Sequence, residues 1–107
     1  MRRFAGIDLS EDHRRLVLAI LAAHLPQGTA AWVFGSRASG RARPFSDLDL
    51  AIDAGRRLTL DEVAMLVEAF TESDLPCKVD VVDWHGIDER FRQMITSERQ
   101  VLDNAAE

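Results

Sequence analysis

The chain has 107 residues, which is enough for one domain with an ordinary hydrophobic core. Hydrophobic residues make up 47% of it and charged residues 29%, a balance that excludes a fibrous or disordered chain. The 18 acidic and 13 basic residues give a net charge of −5, which argues against a protein that grips long nucleic acids through their phosphates.

The sequence predicts neither a membrane span nor a secretory signal. The longest unbroken apolar stretch, Leu16–Ala23, is far shorter than the roughly 18 residues that a transmembrane helix needs. The N-terminus lacks the basic, apolar and small-residue regions of a signal peptide. The single cysteine, Cys77, cannot form an internal disulfide or a cysteine-pair metal site. We therefore expect a cytoplasmic protein in a reducing environment.

The N-terminal part of the chain predicts a helix and a strand. Apolar residues recur at helical intervals between Leu16 and Leu25, after a start that either Asp8 or Ser10 can cap. The short run 30–34 is apolar and rich in strand-favouring residues, so it predicts a buried strand.

A turn and a loop lead to a second strand. Residues 35–40 predict a tight turn with a brief helical piece, and residues 41–46, which include a proline, predict a surface loop. The segment 47–53 alternates between polar and apolar residues, as a half-buried strand does. Its aspartates share one face and its large apolar side chains share the other.

The remainder of the chain predicts a helix, a strand and a closing helix. Thr59 and Glu62 have the spacing of a capping box, which marks the start of the second long helix. Residues 78–84 predict a third strand. The closing helix follows, and residues 100–102 either continue it or form a short edge strand. The order of elements predicts a single α/β (α+β) domain over residues 1–107, with a small three- to four-stranded mixed sheet flanked by helices.

Two short motifs carry the chemistry. Asp47 and Asp49 project carboxylates from one face of a strand, an arrangement that is costly to bury unless cations neutralise it. Such oxygen ligands suit Mg²⁺ or Mn²⁺, which complete their shells with water and substrate phosphates. Upstream, Gly35 permits close backbone approach, and the Ser36 hydroxyl with nearby N–H groups can cradle a phosphate. A phosphate anchor joined to a metal pair is what a nucleoside triphosphate with bridging metals requires.

A P-loop is the competing interpretation of the glycines. Gly35 and Gly40 have the Walker spacing, but Arg41 and Ala42 stand where the P-loop needs a lysine and then a serine or threonine. Because both the phosphate-binding lysine and the metal-binding hydroxyl are missing, the P-loop interpretation is excluded.

The string Gly35-Ser36, ten further residues and Asp47-Leu48-Asp49 resembles the signature of the DNA polymerase β-type nucleotidyltransferase superfamily. The likeness extends over nearly the whole chain to the minimal nucleotidyltransferases, the MNT family. The segments that carry it are 34–40, 46–50 and 79–83.

The resemblance implies a role for each motif residue. Asp47 and Asp49 would bind two Mg²⁺ ions, and Asp80 would complete the catalytic metal site and help deprotonate the acceptor hydroxyl. Gly35 and Ser36 would hold the β- and γ-phosphates of ATP. The implied reaction is in-line attack on the α-phosphate, with pyrophosphate as the leaving group.

Five neighbouring residues are open to two interpretations. Arg37, beside the phosphate anchor, is expected to contact phosphate, although it also fits a solvated loop. Asp83 is the alternative third carboxylate if the strand register shifts by one, and Asp53 is expected to be a solvated strand end. Trp84 and Phe45 either have a structural role or stack on a base, and the structural role is favoured.

The same resemblance implies a biological role. MNT proteins are commonly antitoxins that transfer AMP from ATP to a tyrosine of a HEPN-domain ribonuclease toxin. We therefore expect a Mg²⁺-dependent protein adenylyltransferase with a HEPN partner and no stable nucleic-acid binding. The alternative is a non-catalytic antitoxin that occludes its toxin, which an acidic surface would suit. Transfer to RNA or a small molecule is a third option, disfavoured by the net charge of −5.

Overall fold

The computed structural model describes residues 6–102. A four-stranded mixed sheet is flanked by helices, which confirms the expected fold class. Within the described residues, none of the helices is long and apolar enough to cross a membrane. The elements in chain order are α1 (Glu11–His24), β1 (Ala30–Phe34), α2 (Ser36–Ser39), β2 (Leu48–Asp53), α3 (Leu60–Thr71), β3 (Val79–Asp83), a 3₁₀ turn (Trp84–Gly86), α4 (Glu89–Glu98) and β4 (Gln100–Val101).

The strands lie in the order β3-β2-β1-β4. β2 and β3 are parallel and are connected through α3, whereas β1 runs antiparallel to both β2 and β4. The two possibilities left open for the end of the chain are thereby decided. Helix α4 ends before Arg99, whose backbone is extended at φ −69° and ψ 150°, and the chain then forms the edge strand β4.

The two faces of the sheet bury different amounts of apolar surface. The alternation of β2 places Leu48, Leu50 and Ile52 on one face, where all three are fully buried against α1 and α3. The opposite face carries a smaller cluster around Phe34 and Ile95, over which α4 packs. The aspartates of β2 lie on this second face, as the sequence pattern predicts.

The starts of α1 and α3 are both fixed by side-chain caps. Ser10, and not Asp8, caps α1 by accepting a hydrogen bond from the His13 N–H at 3.1 Å. At α3, the Thr59 hydroxyl accepts from the Glu62 N–H at 3.0 Å, and the Glu62 carboxylate accepts from the Thr59 N–H at 2.8 Å. The capping box predicted from the sequence is therefore confirmed.

Removal of the α3 cap should destabilise the protein. We expect Thr59→Ala to lower the free energy of unfolding by about 1 kcal/mol, because the Glu62 N–H loses its acceptor. Thr71→Ala is the matched control: this exposed threonine at the other end of α3 bonds only the Val67 carbonyl, and its loss should cost less than about 0.5 kcal/mol. Urea denaturation measures both, and equal losses would contradict a specific contribution of the cap.

Candidate active site

Two carboxylates, those of Asp49 and Asp80, meet at one end of the sheet, and a third, that of Asp47, lies at the same end. Asp47 immediately precedes β2, Asp49 is the second residue of β2, and Asp80 is the second residue of β3. The parallel register pairs Asp49 directly with Asp80, so their side chains leave the same face of adjacent strands. Asp47, two residues before Asp49, is exposed and contributes its charge to the same end.

This group of acids holds more negative charge than its surroundings neutralise. Burial, followed by the charges of Asp80 and Asp47, raises the pKa of the Asp49 carboxyl to about 6. The nearest cation to Asp80 is Lys78, whose Nζ lies 3.5 Å from Oδ1 at an exposed position. A bound cation would therefore relieve a repulsion that the protein alone leaves in place.

Gly35 lies against the Asp49 carboxylate. The antiparallel register places Phe34 opposite Asp49, so the next residue along the chain passes directly over that side chain. A Cβ atom on Gly35 would collide with Asp49 Oδ2. The backbone of Gly35 has φ 76° and ψ −153°, a conformation that is essentially restricted to glycine. Both the space and the backbone angle thus require glycine at this position.

Ser36 begins the short helix α2, which ends at Gly40 with φ 80°. The turn with a brief helical piece predicted for residues 35–40 is thereby confirmed. Within residues 6–102, the Ser36 hydroxyl makes no hydrogen bond, which leaves it available to a ligand beside the carboxylates.

Arg37 connects three parts of the chain. Its Nε and Nη2 both donate to the Ser46 carbonyl, at 3.1 and 2.9 Å, and its Nη1 donates to the Asp8 carbonyl at 2.8 Å. Because Ser46 directly precedes Asp47, the guanidinium fixes the loop that delivers the first carboxylate. These bonds use three of the five N–H groups of the arginine.

Two further aspartates have structural partners. Asp53 is the last residue of β2, which confirms that it ends the strand, but it is not simply solvated: its half-buried carboxylate accepts from the Gly55 N–H at 2.8 Å and lies 2.6 Å from His85 Nε2. The turn after β3 brings His85 next to the end of β2, and no local sequence pattern predicts this contact. Asp83 points away from Asp80, and its carboxylate accepts from the Leu58 and His85 N–H groups at 2.8 and 3.1 Å.

The two aromatic residues with open roles differ in their surroundings. Trp84 packs on Trp32 with ring centroids 5.3 Å apart, and the Arg99 guanidinium lies 4.1 and 5.2 Å from the Trp32 and Trp84 ring centroids. The structural interpretation of Trp84 is therefore supported. It is wrong for Phe45, which is 75% exposed in the loop before β2 and adopts a positive φ of 67°.

Glu98, at the end of α4, is a site residue that the sequence analysis missed. Its Oε2 accepts a 2.7 Å hydrogen bond from the Gly35 N–H, and its charge also acts on Asp49. Its other oxygen, Oε1, lies 3.9 Å from Arg41 Nη2. No local signal marks this glutamate, because Gly35 is 63 positions away in the sequence.

The donor chemistry of the site suits a hard divalent cation. Across residues 6–102, no group of three or more His, Cys, Asp or Glu side chains is already arranged as a metal site. Carboxylate oxygens are nevertheless the ligands that Mg²⁺ prefers, and Asp49, whose pKa is raised, lies beside Asp80. The residues therefore fit such an ion in their chemistry.

A comparison with known protein families agrees with this geometry. The family model described as "Polymerase beta, Nucleotidyltransferase" matches residues 18–107, which include all three carboxylates and the Gly35-Ser36 corner. The chain belongs to the polymerase β-type nucleotidyltransferase family. The family resemblance expected from the sequence is thereby confirmed.

Individual relatives place the chain among small members of this nucleotidyltransferase family. It is 43% identical over 95 residues to the "Probable protein adenylyltransferase MntA" of Haemophilus influenzae, covering 89% of this chain and 82% of that protein. A solved toxin–antitoxin structure with AMP-PNP superposes with a TM-score of 0.75 at 23% identity, over 85% of this chain and 73% of that chain.

A second solved structure, a tri-AMPylated HEPN toxin of Shewanella oneidensis in complex with an MNT antitoxin, gives a TM-score of 0.70 at 20% identity. The match covers 88% of this chain and 71% of that chain. At these identities, the two solved structures show the common nucleotidyltransferase fold.

The contact between Gly35 and Asp49 predicts an unequal pair of glycine substitutions. Gly55 also has a positive φ, of 82°, but its Cβ position is open, so Gly55→Ala should cost only the backbone strain, about 1–2 kcal/mol. Gly35→Ala adds a collision with the Asp49 side chain and should cost about 3 kcal/mol or more. Urea denaturation of both variants tests this, and equal losses would show that the contact is easily relieved.

The raised pKa of Asp49 predicts how stability depends on pH. Between about pH 4 and pH 6 the Asp49 carboxyl is more protonated in the folded protein than in the unfolded chain, so the contribution of Asp49 to stability falls as pH rises through this window. Asp49→Asn removes the charge. The variant should therefore exceed the wild type by about 1–2 kcal/mol at pH 7.5, a figure reduced for screening by water, and should match it near pH 4.

Unfolding free energies measured at both pH values without divalent cations test this pattern. Asp74→Asn, at an exposed loop position, is the control and should shift stability by less than about 0.5 kcal/mol at either pH. A variant that is no more stable than the wild type at pH 7.5 would contradict the repulsion inferred for Asp49.

Proposed function

We propose that this chain is a protein adenylyltransferase that acts as an antitoxin, transferring AMP from ATP to a tyrosine of a HEPN-domain ribonuclease. The observation that carries the proposal is the pairing of Asp49 with Asp80 across parallel strands, directly beside the Gly35-Ser36 corner. In a polymerase β-type nucleotidyltransferase domain, such a corner next to paired carboxylates suits a nucleoside triphosphate.

Each residue of the site has a role in this proposal. Asp47, Asp49 and Asp80 would hold two Mg²⁺ ions, with Mn²⁺ as a substitute, which when bound would offset the charge of the triphosphate. The Ser36 hydroxyl and the Ser36 N–H face the β- and γ-phosphates, and Gly35, whose own N–H is donated to Glu98, lets the backbone approach them closely. Asp80 accepts the proton of the acceptor hydroxyl.

The bond changes follow from this arrangement. The acceptor oxygen forms a bond to the α-phosphorus of ATP, and the bond from that phosphorus to the bridging oxygen breaks. Pyrophosphate leaves with the electron pair, and the acceptor carries AMP.

Arg37 supports the site mainly through the loop that it holds. Three of its N–H groups bond the Ser46 and Asp8 carbonyls, so they fix the backbone one residue before Asp47. The two N–H groups that remain are those that we assign to a phosphate contact.

A protein acceptor is favoured by the relatives and by charge. The Haemophilus relative carries the name of a protein adenylyltransferase, and the Shewanella complex contains a tri-AMPylated HEPN toxin. A net charge of −5 suits contact with a basic ribonuclease. We include in the proposal that residues 1–107 act as one domain, in the cytoplasm where ATP is available.

Transfer of label from ATP tests the proposal. The protein is incubated with Mg²⁺ and the HEPN-domain protein encoded beside it, with ATP labelled either at the α- or at the γ-phosphate. We expect label on the partner from α-labelled ATP alone, because AMP is transferred and pyrophosphate leaves. Asp47→Ala/Asp49→Ala, or removal of Mg²⁺ by chelation, should lower the rate by about a hundredfold or more. Asp74→Ala should label at the wild-type rate.

Three other outcomes would contradict adenylylation of a toxin. Label from γ-labelled ATP would indicate phosphoryl transfer. Label on added RNA instead of the partner would indicate a nucleic-acid acceptor. If the double aspartate variant labels nothing and still protects cells from the toxin, neutralisation occurs by occlusion.

A further inference from the structure

We propose that Glu98 is a positioning residue that holds the Gly35-Ser36 corner in the conformation that receives the triphosphate. This inference rests on the proposed function, since it concerns how the same site binds ATP. It assigns a role to a residue outside the two sequence motifs.

The contact is specific and partly shielded from water. Glu98 Oε2 accepts from the Gly35 N–H at 2.7 Å, and the Glu98 side chain is only 24% exposed. A hydrogen bond from an amide to a carboxylate is stronger than one between neutral groups. Because β1 ends at Phe34, Glu98 supplies an acceptor to the first amide beyond the strand.

Gly35, which donates to Glu98, has a backbone conformation that needs a stabilising contact. Gly35 has φ 76° and ψ −153°, and a glycine has many alternative conformations of similar energy. The Glu98 carboxylate fixes the peptide plane between Phe34 and Gly35, and this plane sets the direction of the chain into Ser36. The proposed site needs that direction, because Ser36 directly follows Gly35, which lies against the Asp49 carboxylate.

The end of α4 and β4 contacts the corner at two further points. Gln100 Nε2 donates to the Ala38 carbonyl at 3.3 Å, in the middle of α2. Arg41 Nη2, just after α2, lies 3.9 Å from Glu98 Oε1. The C-terminal segment thus contacts the beginning, middle and end of the turn that carries Ser36, with Glu98 making the shortest of these contacts.

A blocking or repelling role for Glu98 would change ATP affinity in the opposite direction when the side chain is removed. If the Glu98 carboxylate only blocked the corner or repelled the triphosphate, its removal would strengthen ATP binding. A positioning role predicts weaker binding on removal, and it predicts that an uncharged acceptor at the same place is sufficient. The two variants Glu98→Asp and Glu98→Gln separate hydrogen bonding from charge, since aspartate keeps the charge on a side chain one methylene shorter.

The experiment measures ATP affinity by calorimetry with Mg²⁺, together with KM for ATP and kcat for labelling of the partner. We expect Glu98→Ala and Glu98→Asp to weaken ATP binding and raise KM by about tenfold, with kcat at saturating ATP changed by less than about threefold. Glu98→Gln should restore near wild-type affinity because its amide oxygen accepts from Gly35. Glu89→Ala, an exposed acid on the same helix, is the control and should bind ATP as the wild type does.

Each other outcome has a definite meaning. Unchanged or tighter ATP binding by Glu98→Asp would overturn the positioning role while leaving the proposed function intact. A Glu98→Gln variant as weak as Glu98→Asp would also overturn it, because the charge would then matter and the hydrogen bond would not. A wild-type protein that neither binds ATP nor labels its partner would overturn the proposed function and this inference together. If Glu98→Ala does not fold, as urea denaturation will show, the comparison of Asp with Gln decides the question.

Discussion

The parallel register of β2 and β3 is the constraint on which the rest of the site depends. It places Asp49 beside Asp80 on one face, where neighbouring strands are only about 4.8 Å apart. Two carboxylates at that separation repel each other, and partial burial increases the cost, as the raised pKa of Asp49 shows. The surrounding residues accommodate this pair but do not neutralise it. A site with such residual negative charge is suited to a ligand that brings cations with it.

The hydrophobic core fixes this register from the opposite face. Leu48, Leu50 and Ile52 are fully buried, so a slip of one residue would move them to the face beneath α4 and turn the aspartates into the larger core. The penalty for that slip is large, because the aspartates would be buried among apolar side chains and the three large apolar side chains would leave the core that they fill. The packing of the apolar face of β2 therefore keeps the aspartates on the other face. The free energy gained by this packing offsets the cost of the repulsion between the carboxylates.

Features encoded by neighbouring residues could be predicted from the sequence. The alternation of β2, the capping box at Thr59 and Glu62, and the Gly35-Ser36 turn all follow from spacing within a few positions. Glu98 and the pairing of Asp53 with His85 could not be predicted, because they join residues far apart in sequence. In each pair one partner, Glu98 or His85, has no local sequence pattern that distinguishes it from an ordinary surface residue.

The contacts that could not be predicted from the sequence hold the Gly35-Ser36 corner and the helix α2 that follows it from two sides. Arg37 bonds the Asp8 carbonyl, and the Asp8 N–H donates to the Arg37 carbonyl at 2.7 Å, so the segment before α1 is attached to one side of the corner. Glu98 attaches the end of α4 to the other side through Gly35. A motif of four residues has too few contacts of its own to keep a glycine in a rare backbone conformation. The corner keeps its shape because segments on both sides of it in the sequence hold its backbone, and the motif alone therefore describes only part of the site.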